Sequence, residues 1–445
     1  MKSLYLIYQY SNYIFTTKGE NSMSNSNKKI VAGWKVVIAC MLIQAIPYGV
    51  LANLQPQFMY YVVSDKALGF SMASFSLIFT IGTLVSAIGS PIVGGLFKKF
   101  SLKPLYIAGA ILGCGGFAAF SIATAPWQYY LIAGIMQIGA AIISALGIPL
   151  LINAWFDEAS KGKALSTAMA GGSIGNIFLQ GSSVALIKAV GFKQAYLIFG
   201  LVGLVVALPI ILFMLRMPKD ASEVVRAKGS EEDNKEEGLS WGYTVAEAMK
   251  TKGFKFLAGG FFFVGIYVAA LSVQYPAYLH LNEAVNTGII GSIFAICSLG
   301  GTIVGGNLFD KIGPFKAMGI AGVIVLISNL SLIFAIDVTP LAYVFAVAKG
   351  LSIFAYTIGP ALLVGKLFGN KEYAGVLGMV QLVFGVGFAA GSSIFGIVVD
   401  KMGYGVAWWA IVGAVILAYV GILSAIKAMD VLNKKGTKVD KEVAA

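Results

Sequence analysis

The second half of this chain repeats the first. Gly147 pairs with Gly359, Phe156 with Phe368, Leu165 with Leu377, Gly175 with Gly387 and Gly191 with Gly403, each 212 residues apart (359 − 147 = 212). The segment Gly94-Gly95-Leu96-Phe97-Lys98-Lys99-Phe100 recurs at the same step as Gly306-Asn307-Leu308-Phe309-Asp310-Lys311-Ile312. The matches lie in long apolar runs. A membrane-embedded half that is duplicated in parallel places a central site between two bodies able to rock against each other, the construction used by many transporters.

Of 445 residues, 58% are hydrophobic and only 12% charged, against about 25% charged in soluble domains. Lipid is therefore the expected solvent for most of the chain. Twelve runs approach or exceed the roughly 20 residues that cross a ~30 Å hydrocarbon core: Val36–Tyr61, Ser71–Phe97, Leu105–Ala123, Trp127–Trp155, Ala164–Ile187 and Ala195–Leu215 in the first half. Phe256–Leu279, Thr287–Phe309, Ala317–Ala335, Leu341–Leu367, Ala374–Val399 and Val406–Ile426 follow in the second. A helix satisfies its own backbone groups in lipid. The expected fold is an all-α membrane protein with twelve transmembrane helices in two six-helix pseudo-repeats, residues 33–215 and 254–428. A mixed-charge linker, 216–253, centred on Glu231-Glu232-Asp233-Asn234-Lys235-Glu236-Glu237, joins the halves. Residues 1–32 and 429–445 form tails, the latter expected to be disordered. Within the first tail, 1–22 reads as an over-long start ahead of Met23, the alternative being an interfacial segment.

The net charge of +12 is a topology signal, not a nucleic-acid footprint. Most Lys and Arg fall in the tails and even-numbered loops, leaving Lys66, Lys188, Lys193 and Lys401 on the other side. The positive-inside rule puts both termini in the cytoplasm of a plasma-membrane protein. Cys40, Cys114 and Cys297 lie far apart in apolar spans and His280 is the only histidine. No disulfide, metal site, cofactor or enzymatic triad is expected.

Gly306-Asn307-Leu308-Phe309-Asp310-Lys311-Ile312-Gly313 resembles the G-x-x-x-D-[RK]-x-G loop signature of the major facilitator superfamily. The twelve-span, two-half plan is similar to that family across nearly the whole chain. The resemblance implies gating roles for Gly306, Asp310, Lys311 and Gly313, with the acid meeting a neighbouring helix amino terminus, where negative charge is favoured. In the first half the acid position is Lys98 and the glycine position Ser101, so the lock rests on the second copy. Gly33-Trp34-Lys35-Val36-Val37, Tyr48-Gly49-Val50 and Pro56-Gln57-Phe58 resemble the oxalate:formate antiporter and monocarboxylate porter group. That likeness implies a carrier of small organic anions working as a monomer. The arginine and lysine with which oxalate carriers hold their dianion fall near Thr302 and Gln381, both neutral, which counts against oxalate itself.

Lys349 is the one charged residue deep inside a span. It lies nine residues beyond Pro340, roughly 13 Å along a helix and so near the midplane. A cation there costs at least ~2.5–3.5 kcal/mol and normally faces a cavity and a partner. All twenty Asp and Glu lie in loops, tails or at span ends, so the simplest partner is a bound anion, replaced by water in the empty carrier. Tyr356, seven residues on, shares its helical face. By the repeat step Gln137 stands opposite Lys349, and Gln44 and Tyr48 line the first span. Gln381 and Thr302 complete the expected substrate set; Asn176 and Gln180 form a polar pair in the fifth span, while Trp127, Trp408 and Trp409 are expected to anchor at the interface. Proton-coupled carriers usually hold a membrane carboxylate, and the drug-antiporter glycine-proline pair is absent, Gly175 being followed by Asn176. Anion exchange needs no such carboxylate, and proton symport remains open if the lysine titrates. The expected function is transport of a mono- or dicarboxylate; the alternatives are efflux of amphipathic or neutral compounds and a membrane sensor without flux.

Overall fold

The computed structural model describes residues 25–219, 223–225, 242–369 and 371–443. Residues 1–22 and the centre of the expected linker lie outside them. Helices dominate, and eleven stretches are long and apolar enough to cross a bilayer. The first six are α1 (Ala32–Ser64), α2 (Met72–Lys99), α3 (Leu102–Ala119), α4 (Pro126–Trp155), α5 (Ser160–Val190) and α6 (Phe192–Met214). Next come α7 (Lys252–Leu279), α8 (Thr287–Phe309), α9 (Lys311–Ile336) and α10 (Pro340–Phe368). The last stretch, Tyr373–Leu432, is 60 residues long, twice what a bilayer needs. It is broken at Gly403 (φ 82), giving α11 (373–402) and α12 (404–432), twelve crossings in all.

Two glycines show how the repeat becomes architecture. Gly191 (φ 83) and Gly403 (φ 82) adopt the same left-handed turn at equivalent places, between α5 and α6 and between α11 and α12. Only glycine enters that region without steric cost. Within the helices, a Cβ on Gly175 would fall 1.8 Å from the Ala45 carbonyl, and one on its equivalent Gly387 2.1 Å from that of Phe262. So α5 lies backbone to backbone on α1, and α11 on α7. Close approach of this kind replaces the hydrophobic drive that is missing between helices in lipid.

Each half has its own core. The first packs Phe58, Phe117, Phe120, Tyr129 and Tyr196; the second packs Phe261, Tyr267, Phe395, Trp408 and Tyr419. Large apolar side chains such as Ile88, Phe178, Phe213 and Ile303 remain exposed on the bundle exterior, as expected where lipid is the neighbour. Trp408 departs from its expected interfacial place: it is fully buried against Phe395, with ring centroids 4.6 Å apart, because the α12 face it occupies turns inward. Trp127 and Trp409 are exposed. The chain after Met429 is also not irregular. Its helix continues to Val443, since the segment holds no proline and elongating an existing helix avoids the unfavourable nucleation step.

Gly387→Val is expected to prevent accumulation of folded protein, and Gly403→Ala to cost about 1–3 kcal/mol through backbone strain. Gly259, whose added Cβ would meet open space, serves as control. Thermal unfolding of the purified proteins in detergent checks this; equal melting of Gly387→Val and Gly259→Ala would contradict the packing account.

Candidate functional site

Prolines and wide turns break the helices that meet at the centre. α1 is interrupted before Pro47 and again at Leu54 before Pro56. α7 widens into a π-turn at Ala270–Gln274, just before Pro276. α4 carries a π-turn at Ala141–Ala145, whereas α10 tightens near Ser352 and restarts at Phe354. Irregular backbone in a membrane is tolerated where protein or a cavity covers it. Between the two bundles these breaks enclose a cavity of about 380 Å³, in the range of small-molecule sites.

Gln44, Tyr48, Lys349 and Tyr356 all border this cavity, as do Asn176 and Gln180. The other expected residues stand apart. Gln137 is half-buried, its side chain beside Gly82. The repeat step fixes a position along the helix and not which way its side chain turns. Thr302 turns its hydroxyl back to the Ser298 carbonyl, 3.0 Å away, and Gln381 is exposed away from the cavity wall. Gly306 is half-buried and Lys311 exposed. Gly313 has φ 79 and breaks the chain two residues into α9. The side chain of Asp310 lies outside the described residues.

Among the described residues Lys349 is the single charged side chain on the cavity wall, and it is only 5% exposed. Its Nζ donates a 2.6 Å hydrogen bond to the Leu271 carbonyl. It also lies 4.2 Å from the ring centre of Phe294, 4.5 Å from Tyr275 and 5.6 Å from Phe345. The carbonyl is free for a structural reason. In a π-turn the donor stands five residues ahead of its acceptor, which sets Pro276 opposite Leu271, and proline has no N–H. Desolvated cation–π contacts are worth about 2 kcal/mol and a charged hydrogen bond about 1.5–3 kcal/mol. Together, at about 3.5–5 kcal/mol, they reach past the ~2.5–3.5 kcal/mol lower bound for a midplane cation. The backbone and rings thus do what water was expected to do.

Amides line the opposite wall. Gln44 Oε1 accepts from Ser144 at 2.6 Å. Gln180 Nε2 donates to Asn176 Oδ1 at 2.9 Å and to the Asn53 carbonyl at 3.0 Å. Gln57 Nε2 donates to Gln180 Oε1 at 2.6 Å and reaches the Tyr275 hydroxyl of the other bundle at 3.4 Å. That link begins a seal at the face away from the termini, called distal below. Gln274 Nε2 donates to Ser76 Oγ (2.7 Å), and Thr80 Oγ1 to the Ala389 carbonyl (2.8 Å). At the rim, Asp400 accepts from the Met72 and Ala73 backbone N–H groups at 3.0 and 2.9 Å. An acid from α11 thereby meets the amino terminus of α2, the contact expected of Asp310. The sequence did carry a signal for it: Gly396-Ile397-Val398-Val399-Asp400-Lys401-Met402-Gly403 repeats the G-x-x-x-D-[RK]-x-G pattern read at Asp310. Toward the other face the equivalent helices stand free: a Cβ on Gly89 or Gly95 of α2, or on Gly378 or Gly385 of α11, would meet open space.

His280 of α7 belongs to the distal seal, just beyond its span. It stacks on Tyr60 of α1 (4.5 Å) and meets the edge of Tyr61 (5.2 Å); Nε2 stands 3.5 Å from Thr287 Oγ1. Burial, and then the Lys188 ammonium, lowers its pKa from 6.5 to about 4. The sealed state therefore favours neutral imidazole. Its contribution is complete above pH 6.5 and is lost as pH falls toward about 4, the window in which an opened seal binds the extra proton. Spin-label distances across the distal ends of α2 and α11 check both contacts. Asp400→Asn is expected to reduce the sealed population about fivefold, and His280→Asn to flatten its decline in acid; unchanged distance distributions would contradict both.

The fold of two pseudo-equivalent bundles has counterparts among known proteins. The solved structure of the nucleoside transporter NupG superposes with a TM-score of 0.64 at 16% identity, covering 89% of this chain and 99% of that one. A bacterial homologue of the human lysosomal transporter Spinster, in an inward-facing and unoccupied conformation, gives 0.61 at 14% identity, covering 90% and 95%. In sequence, the uncharacterized MFS-type transporter YhjX of Escherichia coli is 29% identical over 338 residues, 73% of this chain and 77% of that protein. Monocarboxylate transporter 13 of Rattus norvegicus is 25% identical over 401 residues, 88% of each. Residues 37–284 and 256–443 match the family model of the Major Facilitator Superfamily. With matches that run almost end to end and a fold of two six-helix bundles around one cavity, the chain belongs to the Major Facilitator Superfamily of membrane transporters.

Proposed function

We propose that this transporter is a secondary carrier that moves a small organic anion, a mono- or dicarboxylate, across the plasma membrane by alternating access. It works as a monomer with both termini in the cytoplasm, as antiporter or proton-coupled symporter. The observation that carries the reading is Lys349: among the described residues the one charged group bordering the cavity is a cation, and no carboxylate shares the wall. An ammonium in a site of low dielectric selects an anion and rejects cations at a cost of several kcal/mol. Tyr356 and the amides of Gln44, Asn176 and Gln180 supply neutral hydrogen-bond partners for the rest of the ligand. The likeness to monocarboxylate transporter 13 supports the same substrate class. The excess of Lys and Arg on the terminal side supports the orientation.

A second reading draws on the aromatic lining. Phe79, Phe294, Tyr275, Tyr356 and Phe388 suit an amphipathic or neutral compound, and an efflux carrier of such compounds would tolerate loss of the charge.

Counterflow in proteoliposomes loaded with formate, lactate, succinate or benzoate separates the two. Lys349→Gln is expected to reduce carboxylate counterflow about 100-fold, the scale of losing one partner of a desolvated charge pair. Normal rates in Lys349→Gln would remove the anion site and favour the second reading.

A further inference from the structure

An anion carrier faces a difficulty after release: its empty site keeps an uncompensated charge, and enclosing a bare charge in a sealed interior is unfavourable. Carriers held back in that way exchange one anion for another and do not return empty. Lys349 is not bare. Its ammonium already has the Leu271 carbonyl at 2.6 Å and the rings of Phe294, Tyr275 and Phe345 around it. Every one of these groups belongs to the second bundle: Leu271 and Tyr275 to α7, Phe294 to α8, Phe345 to α10. Rocking of one bundle against the other leaves them in place, so the charge stays compensated whichever face is sealed. An ammonium has three donors, and the ligand enters by taking over the one that holds the carbonyl.

We infer that the Leu271 carbonyl, released from the helix by Pro276, is the resting partner of Lys349 and lets the empty carrier reorient, so that the protein catalyses net movement of its anion and not exchange alone. The inference rests on the anion reading of Lys349 given above. It assigns Pro276, which does not line the cavity, as a positioning residue. Pro276→Ala returns an N–H that competes for the Leu271 carbonyl.

Proteoliposomes are loaded with labelled lactate, or in parallel with labelled benzoate, and the membrane potential is held at zero. Efflux is compared into medium with and without the same unlabelled anion. The expected wild-type result is efflux into anion-free medium at a rate close to that of exchange. In Pro276→Ala the ratio of net efflux to exchange is expected to fall about tenfold, a change of about 1.4 kcal/mol. Wild-type exchange with net efflux at the level of protein-free vesicles would overturn the inference while leaving the anion carrier intact. Absence of exchange with either probe would overturn the anion reading, and this inference with it. If Pro276→Ala does not fold, the wild-type ratio alone decides.

Discussion

The structure turns on how one ammonium group is kept in the middle of a membrane. Lys349 sits at a depth where charge is expelled unless it is paired, yet the described residues place no carboxylate beside it. Its partners are a backbone carbonyl and three aromatic faces. Neutral partners of this kind hold a cation without cancelling it. A carboxylate partner would neutralise the site and leave nothing for an anion to gain; bare lipid would expel the lysine altogether. The chosen compromise leaves a positive field in the cavity that a substrate can still satisfy.

The rest of the molecule serves to present that field to one side at a time. Glycines bring α1 against α5 and α7 against α11 with backbones in contact, making each bundle stiff enough to move as a unit. The bundles meet at the distal face through hydrogen bonds from Gln57, Gln274 and Thr80, a stacked histidine, an acid on a helix end and close glycine approaches such as Gly396 on Met72 and Ala73. Each hydrogen bond is worth about 0.5–3 kcal/mol, so together they hold a seal that ligand binding energy is able to shift.

Much of this was legible from the chain. The 212-residue step located the paired turns at Gly191 and Gly403 and the paired close contacts at Gly175 and Gly387, because a positive φ and a sub-contact approach both demand glycine. Lys349, Tyr356, Gln44 and Tyr48 were readable as cavity residues, since a polar group in an apolar span has few other places to go. What remained hidden depends on exact helix rotation or on the backbone. Gln137 stands beside Gly82 and off the wall of this cavity, a matter of helix rotation that the repeat step does not carry. The Leu271 carbonyl leaves no trace in residue identity except through Pro276, whose missing N–H was the available signal. Asp400 was missed although Gly396-Ile397-Val398-Val399-Asp400-Lys401-Met402-Gly403 repeats the signature read at Asp310; only its partner, the amino terminus of α2, needed the structure.

The central claim is that an anion binds at Lys349, and the most direct measurement is ligand-dependent thermal stability of the purified carrier, wild type against Lys349→Gln. Saturating carboxylate at about 100 times its dissociation constant is expected to stabilise the wild type by about 2.7 kcal/mol, seen as a rise in Tm, and to leave Lys349→Gln unmoved. An equal rise in both proteins would place the anion elsewhere and contradict the account.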